Sequence, residues 1–178
     1  MVAKLSVKTP AKTTARLRHI ALCVRDIDET ADFYEKAFGM SRTEKHEGAT
    51  AWAIYMSDGE VNLALLQYKS EFGSGVAPGW TGIHHFGFQC DDLPAQQKKI
   101  EKAGGKFFFD LNKPEDEGFE RKFKDPNGIV FDINWKGWPL TKDKIKNAVG
   151  GLRPAKLAAA HKKVAKKTSK PLKARKKK

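Results

Sequence analysis

Both ends of this 178-residue chain lack acidic residues. None occurs in residues 1–18 or 151–178, which hold five and 12 lysines and arginines respectively. The formal net charge of +13 therefore sits in the ends, and residues 19–150 carry −4. Any nucleic-acid partner is thereby assigned to the tail, 151–178. Aromatic residues are absent there, which argues against base stacking and leaves salt-dependent attraction to a polyanion through counterion release. Cysteine is scarce: with only Cys23 and Cys90 and no C-x-x-C, neither structural zinc nor a disulfide framework is indicated. There is no apolar run long enough for a membrane span. The first 18 residues lack the apolar segment of a secretory signal. The expectation is a cytoplasmic, reducing setting with no membrane partner.

What is present is a repeat. His19-Ile20-Ala21-Leu22-Cys23-Val24-Arg25-Asp26-Ile27 returns 66 residues later as His85-Phe86-Gly87-Phe88-Gln89-Cys90-Asp91-Asp92-Leu93. Side chains alternate along a strand. Ile20, Leu22 and Val24 thus match Phe86, Phe88 and Cys90 on one bulky face. His19, Ala21 and Cys23 match His85, Gly87 and Gln89 on the other. The first face suits a strand backed by helices, and the second suits a strand facing a cavity. Two such strands brought together would place two imidazoles side by side.

The rest of each half follows the same plan. Asp26 or Asp28 is expected to cap a helix with the stripe Ile27, Ala31, Tyr34 and Phe38, ended by Gly39. Strands are predicted over 50–56 and 61–67 around the turn Ser57-Asp58-Gly59. In the second half a helix is predicted over 93–103, with strands at 106–110, 119–124 and 129–135, the last two joined by Asp125-Pro126-Asn127-Gly128. Each half reads βαβββ, so the fold class is α+β. The predicted organisation is a disordered basic arm over 1–16, a domain over 17–136 made of modules 17–68 and 83–136, and a Lys-rich tail over 137–178 that is disordered or partly helical. A half of this kind has an unclosed sheet edge, which the other half or a second copy in a homodimer would cover.

In the last strand Ile129, Phe131 and Ile133 form the apolar back, and Val130, Asp132 and Asn134 face the cavity. A lone carboxylate there is expensive to bury. A metal shared with His19 and His85 would offset that cost, and so would an ion pair from Asp132 to Arg121 or a lysine across the sheet. Two imidazoles and a carboxylate suit a divalent first-row metal: Fe, Mn, Zn, Ni or Co. His84 is expected on the helix side, Cys23 as a packing residue facing the cavity, and Phe107-Phe108-Phe109 and Trp52 in the core. No residue is singled out as a general base.

The two strand openings, DFYEKAFGM on the first helix and FKDPNGIVFDI near the end resemble the vicinal oxygen chelate superfamily, which includes glyoxalase, methylmalonyl-CoA epimerase, extradiol dioxygenases and bleomycin-resistance proteins. The resemblance implies paired βαβββ modules forming an open barrel, and metal ligands at His19, His85 and Asp132. The remaining ligand position of the family falls on Ala64, which cannot ligate; Asn62 and Gln67 are the nearby substitutes. Three ligands are more similar to the extradiol dioxygenase site than to four-ligand glyoxalase or epimerase sites. The implied activity is metal-dependent lyase or dioxygenase chemistry on a small oxygenated substrate. Two alternatives are a metal-free, drug-sequestering type of binding protein and a nucleic-acid-associated protein acting through its tail, which resembles linker-histone tails.

Overall fold

The computed structural model describes residues 15–72, 74–77, 79–111 and 119–141. Most of the basic arm and of the Lys-rich tail expected from the sequence lies outside these residues. The described chain is α+β, with two βαβββ-like modules forming one open sheet.

The first module starts with β1 (Ala15–Cys23), followed by α1 (Ile27–Phe38). Asp26 caps α1 by accepting from Glu29 N at 2.9 Å, and Gly39 ends it in the left-handed region at φ 67°. Ile27 and Ala31 are buried as the stripe requires, but Phe38, in the last turn of the helix, is 68 % exposed. Two short strands, β2 (Ser41–Arg42) and β3 (His46–Glu47), both pair with β4 (Ala51–Ser57), so one strand of the repeat is broken in two. The module closes with β5 (Asn62–Tyr68). The second module holds β6 (Gly82–Cys90), α2 (Leu93–Lys102), β7 (Lys106–Leu111), β8 (Glu120–Lys124) and β9 (Val130–Asn134).

The strand order is β2-β4-β5-β1-β6-β9-β8-β7, with β3 also on β4. Each module has its own core: Ile27, Ala31, Ile54, Met56 and Leu65 in the first, and Cys90, Leu93, Phe119, Phe123, Ile133 and Trp135 in the second. The modules meet along the antiparallel β1–β6 seam, where each first strand also takes its module's last strand in parallel pairing on its other side. Phe107, Phe108 and Phe109 are not core residues. They lie on the edge strand β7, which is exposed throughout.

Candidate metal centre at the module seam

Seam register brings the two histidines together. His19 pairs with Gly87 and Ala21 with His85, so the imidazoles are diagonal neighbours on one face, each opposite a small residue. Their Nε2 atoms are 3.3 Å apart. On the far side of β6, Asp132 of β9 pairs with Gly87. Its Oδ2 lies 3.2 Å from His85 Nε2. The three side chains are buried, and their ligand atoms all lie within 4.8 Å of one another. In the first module the equivalent pairing is Ala21 with Ala64, so Ala64 is the topological counterpart of Asp132.

Hydrogen bonding fixes which way the imidazoles present their lone pairs. Asn62 pairs directly with His19 across β1–β5. Its amide nitrogen donates to Pro139 O at 3.1 Å, leaving Oδ1 to accept from His19 Nδ1 at 2.8 Å. His19 Nε2 is then an unprotonated acceptor. His84 Nε2 donates to the Ser74 carbonyl at 2.7 Å. With His84 Nε2 as the donor to Ser74, His84 Nδ1 takes the acceptor role toward His85 Nδ1, 2.7 Å away, which leaves His85 Nε2 as an acceptor too. Burial drives both imidazoles toward the neutral form, lowering His19 to about 4 and His85 to about 3. The Asp132 carboxylate does not reverse this at His85, where the nearby Lys122 ammonium adds to the depression.

His85 Nε2 thus lies 3.3 Å from the His19 Nε2 lone pair and 3.2 Å from the Asp132 carboxylate, the three groups fall within 4.8 Å of one another, and none has a proton of its own to share. Such a set calls for a cation. Metal bonds of about 2.0–2.2 Å in tetrahedral array put donor atoms about 3.4 Å apart, close to both His85 separations. Each imidazole also donates its other N–H, as metal-ligating histidines do. The His19/His85/Asp132 cluster is consistent with a divalent-metal site.

A lysine is also present. Lys122 Nζ donates to Asp132 Oδ1 at 2.7 Å and to Oδ2 at 2.8 Å, and lies 3.5 Å from His85 Nε2. Lys122 and Asp132 are direct partners across β8–β9. The ion pair and the ligand cluster, alternatives in the sequence, coexist at one carboxylate. Arg121 points the other way, to Asp110 and Gln97. Glu120, two residues before Lys122 on the same face, receives the indole N–H of Trp138 and lies 3.5 Å from Lys122 Nζ. Burial and the neighbouring Asp132 raise the pKa of Glu120. The Trp138 ring stacks on His19 with centroids 4.8 Å apart.

Beside the cluster lies a cavity of about 890 Å³, lined in part by Tyr55, Tyr68, Trp80, Phe108, Phe109 and Ala64. Burial pushes the Tyr68 hydroxyl up to about 12 and that of Tyr55 upward, so both are protonated at neutral pH. His84 belongs to this wall, not to the helix side, because its ring is drawn to Ser74 O and His85. Cys23 is buried, and burial raises its thiol to about 11. Neither suggested substitute ligand serves. Asn62 reaches only the outer nitrogen of His19, and Gln67 accepts the Ile27 N–H at 3.1 Å on the helix side.

From the sequence a lysine is expected across the sheet from Asp132 without Lys122 being identified, and neither Glu120 nor Trp138 is singled out. The hairpin around Asp125 held the signal for Lys122 and Glu120. Asp125 Oδ1 accepts from Asn127 N and Ile129 N, fixing the turn. Counting outward from Lys124 opposite Val130 puts Lys122 opposite Asp132. Trp138 lies past the last strand, where no periodicity marks it.

The chain is 32 % identical over 98 residues to the uncharacterized protein YwbC of Bacillus subtilis (strain 168), covering 52 % of this chain and 74 % of that one. It is 25 % identical over 135 residues to a putative lactoylglutathione lyase of Brassica oleracea var. gemmifera, covering 74 % of this chain but 48 % of the lyase. Among solved structures, a methylmalonyl-CoA epimerase of Streptomyces coelicolor in complex with 2-nitronate-propionyl-CoA shares the fold. Its TM-score is 0.54 at 21 % identity, with 68 % of this chain and 94 % of that one covered. Residues 16–133, well over half of the sequence, match a family whose members share this arrangement of modules, and the chain belongs to the Glyoxalase/Bleomycin resistance protein/Dioxygenase superfamily.

Proposed function

We propose that this chain is a metal-dependent enzyme in which His19, His85 and Asp132 hold one divalent first-row metal ion. The observation that carries this reading is the pair of buried Nε2 atoms 3.3 Å apart at the module seam, with that of His85 3.2 Å from the Asp132 carboxylate. When bound, such an ion supplies Lewis acidity toward a substrate's oxygens, stabilising an enolate-like anion, or an electron path to dioxygen. Asn62 and His84 hold the two imidazoles in the ligating tautomer. The aromatic cavity wall screens the site from water and accepts the carbon skeleton of a small substrate bearing two neighbouring oxygens. With Ala64 at the counterpart position of Asp132, the described residues offer three protein ligands. That leaves open positions for substrate and favours lyase or ring-opening dioxygenase chemistry over isomerisation.

A second reading, a metal-free small-molecule binding protein, is favoured by the bonding of both Asp132 oxygens to Lys122. Elemental analysis of protein purified without a polyhistidine tag separates the two. About one equivalent of metal, lost in His85→Ala, is expected of the enzyme. Metal at trace level in the unaltered chain sinks that reading and leaves the binding protein.

A further inference from the structure

Lys122 raises a question that the ligand set does not answer. Its ammonium holds both oxygens of Asp132 and reaches toward His85 Nε2, so it already contacts two of the three groups proposed to hold the metal. A bound ammonium and a bound divalent ion cannot both take the same carboxylate lone pairs at full strength. Register makes this placement obligatory, because Lys122 sits directly opposite Asp132 on the cavity face of the neighbouring strand.

We propose that Lys122 is a built-in counter-ion that a divalent metal must displace, so that metal binding exchanges one cation for another and turns the ammonium toward the cavity. This inference rests on the metal reading of the site. Three observations support it. Without metal, Lys122 neutralises a buried carboxylate whose charge is otherwise expensive to keep there. A displaced ammonium is not orphaned, since Glu120 Oε2 is already 3.5 Å away. Lys122 and Glu120 also line the cavity, so an ammonium released from Asp132 gains a free donor facing the substrate space. Metal occupancy and recognition of an anionic or enolate oxygen would then be coupled through one side chain.

The test compares Zn(II) affinity, measured by calorimetry on metal-stripped full-length protein, for the unaltered chain, Lys122→Met and Lys122→Arg. Lys122→Gln replaces the methionine variant should that one fail to fold. Removing the competing charge should tighten Zn(II) binding at least tenfold, with a correspondingly larger rise in melting temperature on adding Zn(II). Lys122→Arg keeps a cation against Asp132 and should bind within about threefold of the unaltered chain. A merely structural lysine would make the methionine variant bind no tighter, or more weakly, and that result overturns the exchange while leaving the metal reading intact. Failure of every form to bind Zn(II) overturns both.

Discussion

The two modules have the same backbone plan and unequal chemistry. Each contributes a first-strand histidine, a last strand parallel to it and a private hydrophobic core. Around the imidazoles the described residues of the first module add neutral groups: Asn62 behind His19, Ala64 at the counterpart of Asp132, and Tyr55 and Tyr68 on the wall. The charge comes from the second module, as Asp132, Lys122 and Glu120. The division is physically reasonable. Buried charges of opposite sign must be neighbours to offset their desolvation, and neighbours are most cheaply supplied by adjacent strands of one module, here β8 and β9. The first module, which among the described residues places no such pair beside the imidazoles, can serve as the support that sets an imidazole's tautomer.

The largest effect expected from this contrast concerns what the halves share. An imidazole lowered to about 4 or about 3 in the folded chain is protonated first in the unfolded one, whose value is near 6.5. Between those values the unfolded state binds more protons, so stability is complete above about pH 6.5 and falls as the pH drops. At roughly 1.4 kcal/mol per pH unit per imidazole, His19 alone accounts for roughly 3 kcal/mol by pH 4. Urea unfolding of metal-free protein between pH 7 and pH 4 should show the slope, with His19→Asn and His85→Asn each removing its own share. A slope carried wholly by one histidine would break the symmetry of the pair.

Next in size is the charge of the second module. Asp132→Asn removes the nearer of the two carboxylates beside the buried Lys122 ammonium and should cost about 3 kcal/mol in urea unfolding of the metal-free protein at pH 7. Stability equal to the unaltered chain would mean that the asymmetry between modules has no energetic weight. The smallest effect sharpens the comparison at one atom. Ala21 and Gly87 are equivalent, yet a Cβ on Gly87 would lie 2.7 Å from the Trp138 ring and 3.2 Å from His19 Cβ. Gly87→Ala should therefore cost about 1–3 kcal/mol. Ala21→Gly should cost about 1–2 kcal/mol, through backbone entropy and the loss of one buried methyl. A Gly87→Ala chain as stable as the unaltered one in thermal melts would show that the indole does not press on the second module.

Much of this was legible in the residues. The 66-residue repeat placed His19 and His85 on matching strands, and alternation in the last strand turned Asp132 to the same cavity. Helix α1 was marked at both ends, by Asp26 and Gly39. Contacts set by three-dimensional closure were harder to read. His84 alternates away from His85 along the strand, but hydrogen bonds to Ser74 O and His85 Nδ1 bring its ring to the cavity wall. The three phenylalanines of β7 look like core in a linear reading, because nothing in their own sequence says that, among the described residues, no strand pairs beyond them. Trp138 belongs to no periodic element, and its stacking on His19 depends on Gly87 having no side chain.

The seam between β1 and β6 has a further consequence. The three side chains proposed as ligands come from both banks, so neither half holds the whole set by itself, although each has a hydrophobic interior of its own. A slip of one residue along this joint would carry His19 about 3.3 Å and turn it to the opposite face. Two correctly folded halves docked one notch out of step would look almost native from outside and be chemically blank. In this molecule, ligand geometry doubles as a gauge of whether the halves have been fitted together in step.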